Sequence, residues 1–122
     1  MSNPSNPSDR AAICELLLAR RIWERERFPL FKPQIALDII LYSTLQSERG
    51  SPACAKDFHI AIGSSPDRVR QVLNQLEHDG WIRSFADRQD ARLRRIVPTA
   101  RALEMVEEYG KLFGPLPPTS RN

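Results

Sequence analysis

The stretch SSPDRVRQVLNQLEHDGWIRSFADRQDARLRRIV, residues 64–97, encodes a helix, a stop and a hairpin in succession. Ser65 is a capping residue, and Pro66 fits the first helical position, where no backbone N–H is needed. Asp67 in the first turn suits the helix dipole. Val69, Val72, Leu73 and Leu76 recur three and four apart, which gives the helix one apolar face. Asp79-Gly80 ends it, with Gly80 free to take the left-handed backbone beyond the cap. Trp81, Ile82 and Phe85 then read as a strand and Leu93 to Val97 as its partner. ADRQDAR, residues 86–92, is the loop between them. It holds no glycine, so a longer loop is expected rather than a tight two-residue turn.

Upstream, a short helix is expected at about 53–61, and Gly63-Ser64-Ser65 is a turn. Phe58, Ile62, Gly63, Val69, Val72 and Leu76 stand where a helix-turn-helix needs its apolar contacts and its bend. The second helix of such a unit can present its exposed side to a DNA major groove. A hairpin directly after it makes a winged helix, whose tip can reach the adjacent minor groove.

The remaining chain supplies flanking helices. One is expected over residues 9–27, capped by Ser8 or Asp9, with Ile13, Leu16, Leu17, Leu18, Ile22 and Trp23 on a wide apolar face. A face that wide predicts packing both within the domain and on a partner chain. Residues 34–48, behind Pro33, are apolar almost all round and predict a central buried helix. Thr99 can cap a last helix, in which Ala102, Met105, Val106, Tyr109, Leu112 and Phe113 form a stripe. Residues 1–8 and 114–122 are rich in Pro, Ser and Asn and read as flexible tails around one domain, 9–113. The fold class expected is mainly α with a small β-hairpin.

Charge is distributed unevenly. The chain carries a formal net +3 over 122 residues. Residues 81–101 alone hold Arg83, Arg88, Arg92, Arg94, Arg95 and Arg101 against Asp87 and Asp90, a local net of +4. A localised basic patch predicts an anionic partner more strongly than a diffuse excess does. No apolar run approaches the ~20 residues of a membrane span. MSNPSNPSDR lacks the basic-then-apolar order of a secretory signal. Cys14 and Cys54 lie far apart without metal-ligand spacing, which fits reduced thiols in a cytoplasmic protein. His59 and His78 have no third ligand nearby in sequence, so no metal and no cofactor is expected. No nucleophile–base motif or phosphate loop points to an enzyme.

The segment from Ser64 to Val106 resembles the MarR family of winged-helix transcriptional regulators. LEHDGWI, residues 76–82, is similar to the family's Leu-Glu-x-x-Gly-Leu-Val, and DRQDAR, residues 87–92, to its Asp-x-Arg-Asp-x-Arg wing. Pro98-Thr99 stands where the family has Leu-Thr. The family's usual Ser-Arg in the recognition helix is Arg70-Gln71 here, and one short C-terminal helix stands in for two long ones. The resemblance implies a DNA-binding regulator of transcription, expected as a homodimer through the helices at 9–27 and 99–113; the sequence does not identify a small-molecule effector.

Residue by residue, Ser64, Ser65, Arg68, Arg70, Gln71, Asn74 and Gln75 are the expected contacts of the recognition helix. Arg, Gln and Asn read base edges in pairs of hydrogen bonds, and serines at a helix start donate to phosphate. Arg88, Arg92 and Arg94 are the expected wing contacts, with Asp87 or Asp90 orienting an arginine by carboxylate–guanidinium pairing. Arg94 and Arg95 are adjacent in a strand and therefore point to opposite faces. The alternative function is a winged helix used as a protein-interaction module, with the wing as a charged docking surface.

Overall fold

The computed structural model describes residues 7–28 and 32–113. Helix α1 runs Pro7–Arg27 and α2 Pro33–Glu48. A two-residue strand β1, Ala53–Cys54, and a 3-10 turn, Ala55–Asp57, lead into α3, Phe58–Ile62. Helix α4 is Pro66–His78, and strands β2, Ile82–Ala86, and β3, Arg94–Pro98, form the hairpin. Helix α5, Ala100–Phe113, closes the order. No helix among the described residues is long and apolar enough to cross a membrane.

Helix α2 is the hub. Ala36, Leu37, Ile39, Ile40 and Ser43 are buried along one side, and Ile35, Leu41 and Tyr42 pack partly buried beside them. The buried Ser43 hydroxyl donates to the Ile40 carbonyl at 3.1 Å, so its polar atom is satisfied inside the core. Around α2 pack Phe28, Phe58, Val69, Leu76, Ile82, Ile96 and Ala102, each with no more than a few per cent of its surface exposed. Burying a side chain of the larger kind contributes about 2 kcal/mol.

The sheet order is β1-β3-β2, antiparallel throughout. Ile96 pairs with Ala53 on one side and Ser84 on the other, and this face meets the helices. Arg95 pairs with Cys54 and Phe85 on the opposite face.

Several expectations are corrected. The helix expected at about 53–61 begins at Phe58, because Ala53 and Cys54 join the sheet as an edge strand. Two residues are too few for period-2 alternation to register in sequence. Helix α1 begins at Pro7, so Ser8 and Asp9 lie inside its first turn and not ahead of it; a proline needs no partner for a missing N–H at that place. The tails expected at 1–8 and 114–122 lie, Pro7 and Ser8 apart, outside the described residues. Strand β2 starts at Ile82 and not at Trp81, because the Trp81 N–H donates to the Leu76 carbonyl at 2.9 Å in the turn that ends α4. Strand β3 starts at Arg94, because the Leu93 N–H is taken by the Asp90 carbonyl inside the loop.

One face is left open. Ile13, Leu16, Leu17, Leu18 and Ile22 on α1 are 43 to 63% exposed. Among the described side chains of α1, only those towards its C-terminal end are buried. There Trp23 meets Tyr109 with ring centroids 5.2 Å apart, and Arg27 pairs with Glu108 at 2.8 Å.

Candidate nucleic-acid interface

Helices α3 and α4 form the helix-turn-helix. Gly63 ends α3 at φ +82°, a left-handed backbone that glycine takes without a Cβ penalty. The chain turns at once into Ser65, whose hydroxyl accepts the Arg68 N–H at 3.3 Å, and Pro66 opens α4. Val69, Val72, Leu73 and Leu76 are buried, so Arg68, Arg70, Gln71, Asn74 and Gln75 are turned outward and exposed. The expected surface of the recognition helix is therefore presented together.

Its members are not equally free. Arg68, Gln71 and Asn74 make no side-chain hydrogen bond among the described residues. Arg70 pairs with Asp67 one turn back, an exposed contact that stabilises little but directs the guanidinium. The Gln75 amide donates to both oxygens of Asp79 at 3.2 Å, which ties it to the helix end. Ser65 is occupied as the cap, while Ser64 is half-buried in the turn.

The wing is organised by its two aspartates. Asp87 Oδ2 accepts the backbone N–H groups of Gln89 at 2.9 Å and Asp90 at 3.0 Å. Asp87 Oδ1 accepts Arg95 Nε at 2.8 Å. The same arginine donates through Nη1 to the Pro52 carbonyl at 2.8 Å, so it joins the loop, β3 and the lead into β1. Asp90 receives Arg92 through both carboxylate oxygens, at 3.1 and 3.2 Å. The Arg95 guanidinium first, then the two N–H groups, hold the Asp87 carboxyl below its usual range, and Arg92 does the same for Asp90. Arg88, at the tip, is exposed and unpaired among the described residues.

Arg94 and Arg95 do point to opposite faces. Arg94 lies on the side of α4, where it donates to Ser84 Oγ at 3.0 Å; that hydroxyl in turn donates to Glu77 Oε2 at 2.8 Å. Arg94, Ser84 and Glu77 thus link the wing to the last turns of α4. Arg95 lies on the other face and is two-thirds buried by its strut contacts.

Solved structures share this arrangement of elements. The S. aureus MepR–DNA complex matches with a TM-score of 0.65 at 20% identity, over 84% of this chain and 80% of that one. S. aureus MepR bound to ethidium bromide gives 0.59 at 18% identity, over 84% of this chain and 74% of that one. Transcriptional regulator Tm0710 from Thermotoga maritima gives 0.60 at 17% identity, over 88% and 73%. The fold is the MarR-type winged helix. No protein-family model and no curated protein matches the chain.

Within this MarR-type frame the strut residue Arg95 and the Glu77–Ser84 link are the parts that spacing and charge in the sequence do not single out. Alternation along β3 separates Arg94 from Arg95, but the partner of Arg95, the Pro52 carbonyl, is 43 residues away in sequence. A further cleft of about 260 Å³ lies between α1, α2 and α5, lined by Leu17, Arg20, Arg21, Glu24, Asp38 and Tyr109 among others. There the Tyr109 hydroxyl accepts from Arg20 Nε at 2.8 Å and faces the buried Glu24 carboxylate at 3.4 Å. Burial first, and then the Glu24 charge, push the Asp38 carboxyl above its usual range, against Arg21. Cys14 is exposed on α1 and Cys54 is buried in β1. No group of three or more His, Cys, Asp or Glu among the described residues is placed to hold a metal ion.

Proposed function

We propose that the chain is a sequence-specific, double-stranded DNA-binding regulator of transcription. Helix α4 enters the major groove, and the wing lies on the adjacent minor groove and its phosphates. The observation that carries this reading is the pairing of two surfaces: an outward row of Arg68, Arg70, Gln71 and Asn74, and a loop folded by its own aspartates with Arg88 and Arg92 exposed. A rigid helix holds side chains in register with base edges, while a loop tip follows groove shape. The likeness to a MepR structure solved with DNA supports the same reading.

The acting unit in this proposal is a homodimer. The open apolar face of α1 and the exposed Leu112 on α5 form more apolar surface than one chain covers. A two-fold partner would cover it and would set two recognition helices about one DNA turn, ~34 Å, apart. In vitro selection from a random duplex pool tests the function: the protein should enrich a two-fold symmetric sequence with half-sites about one turn apart.

A further inference from the structure

Arg101 belongs by sequence to the basic segment and is exposed, yet its guanidinium is folded back over the end of α4. It donates through Nη1 to the Asp79 carbonyl at the last turn of α4, and its Cζ lies 3.9 Å from the centroid of the Trp81 ring. Thr99 Oγ1, two residues earlier, donates to the Gly80 carbonyl at 2.7 Å, and the Thr99 N–H donates to the Trp81 carbonyl at 3.1 Å. Consecutive residues at the end of α4, Asp79, Gly80 and Trp81, are therefore held by the start of α5. Trp81 is buried and leans on Phe28 with ring centroids 5.5 Å apart.

We propose that Arg101 is a positioning residue for DNA reading: it clamps the C-terminal end of α4 to α5 and so fixes the direction in which the recognition helix projects. This rests on the DNA-binding reading above. The lever is long. Arg70 lies nine residues before Asp79, about 13 Å along the helix axis. A tilt of ~10° at the clamped end moves Arg70 by roughly 2 Å, more than the tolerance of a base-edge hydrogen bond. Attraction to phosphate has no such tolerance, because it depends on charge and distance and not on register. The clamp therefore acts on specificity and not on general affinity. The buried face of α4 keeps the helix on the core, and Arg101 and Thr99 add the polar anchor at its end.

Two variants separate this role from a phosphate contact. Arg101→Lys keeps the charge without the planar, stacked guanidinium; Arg101→Met keeps an apolar stem over Trp81 without the charge. Each is titrated against a duplex selected by the wild-type protein and against a random duplex, across several salt concentrations. Both variants should lose about tenfold in the ratio of selected to random affinity, the scale of one base-edge interaction. Arg101→Lys should leave random binding and its salt slope unchanged. An equal loss on both duplexes in Arg101→Met, with a salt slope reduced by about one, would make Arg101 a phosphate contact and overturn the proposal; so would an unchanged ratio. Amide hydrogen exchange, which needs no DNA, should show faster exchange at Trp81 in both variants, and unchanged exchange there overturns the clamp. If the wild-type protein selects no sequence, the DNA-binding reading fails, and exchange at Trp81 still decides whether the clamp exists.

Discussion

Asp87 and Arg95 are joined at 2.8 Å, and the same carboxylate gathers two backbone N–H groups of the wing. The wing therefore arrives at its target already folded, and the entropy of ordering the loop is lost during folding and not during binding. Asp87→Ala should lower affinity for random duplex several-fold, although it removes a negative charge from the basic loop. A gain in affinity would show that Asp87 only repels DNA. The pH dependence has a definite sign. Asp87 and Asp90 have folded-state pKa values below their unfolded ones. Their contribution is present above about pH 4, the unfolded value, and is lost as pH falls through the lowered folded values. Asp87→Ala should remove the Asp87 share of that acid-side loss and leave the Asp90 share, as read from urea midpoints measured down the pH scale.

Arg88 and Asn74 should behave differently. Arg88→Ala should weaken binding to selected and random duplexes together and make the salt slope shallower by roughly one unit for each phosphate no longer neutralised. Asn74→Ala should cost on the order of 1–3 kcal/mol on the selected duplex and much less on random DNA. Titrations of both variants on both duplexes check the division of labour. A uniform loss from Asn74→Ala would place α4 outside the bases.

Much of this architecture is legible in the sequence, for identifiable reasons. Helix α4 announces itself through Ser65, Pro66 and Gly80 at its ends and four apolar residues at helical spacing between them. The hairpin follows from two apolar runs around a charged loop. Strand β1 is not legible, since Ala53 and Cys54 owe their conformation to pairing with Ile96 and Arg95 far along the chain. The same holds for the site. Spacing separates Arg94 from Arg95 and marks Asp87 and Asp90 as partners for arginine, but charge alone counts Arg95 and Arg101 with the unpaired basic residues. The carbonyls that capture them, of Pro52 and Asp79, belong to turns whose positions only the folded chain defines.

Asp38 is held at a cost. Its carboxyl is partly buried beside Glu24, which raises its pKa. A raised carboxylate pKa means that ionisation disfavours the fold, so the destabilisation is present at neutral pH and is relieved as pH falls through the raised value. Asp38→Asn should therefore raise the urea midpoint at pH 7, and the advantage over wild type should shrink towards pH 4. An equal midpoint at pH 7 would remove the electrostatic account of the α1–α2 contact.

Leu16 tests the dimer. Its side chain is 43% exposed in the single chain, so Leu16→Glu should leave the fold intact. On a covered face, the same change buries a charge and should abolish association at micromolar concentration. Sedimentation should show wild-type protein at twice the chain mass and the variant at the chain mass, with matching far-ultraviolet circular dichroism. A wild-type monomer, with or without DNA, would contradict the two-fold arrangement.

The central claim is tested most directly by the wild-type affinity for random duplex DNA as a function of salt concentration. Two wings with Arg88 and Arg92 each, together with the start of α4, predict a log–log slope steeper than about −3, since each phosphate neutralised contributes about −0.9. Weak binding with a flat slope would contradict DNA recognition, and the wing would then stand as a charged docking surface for another protein.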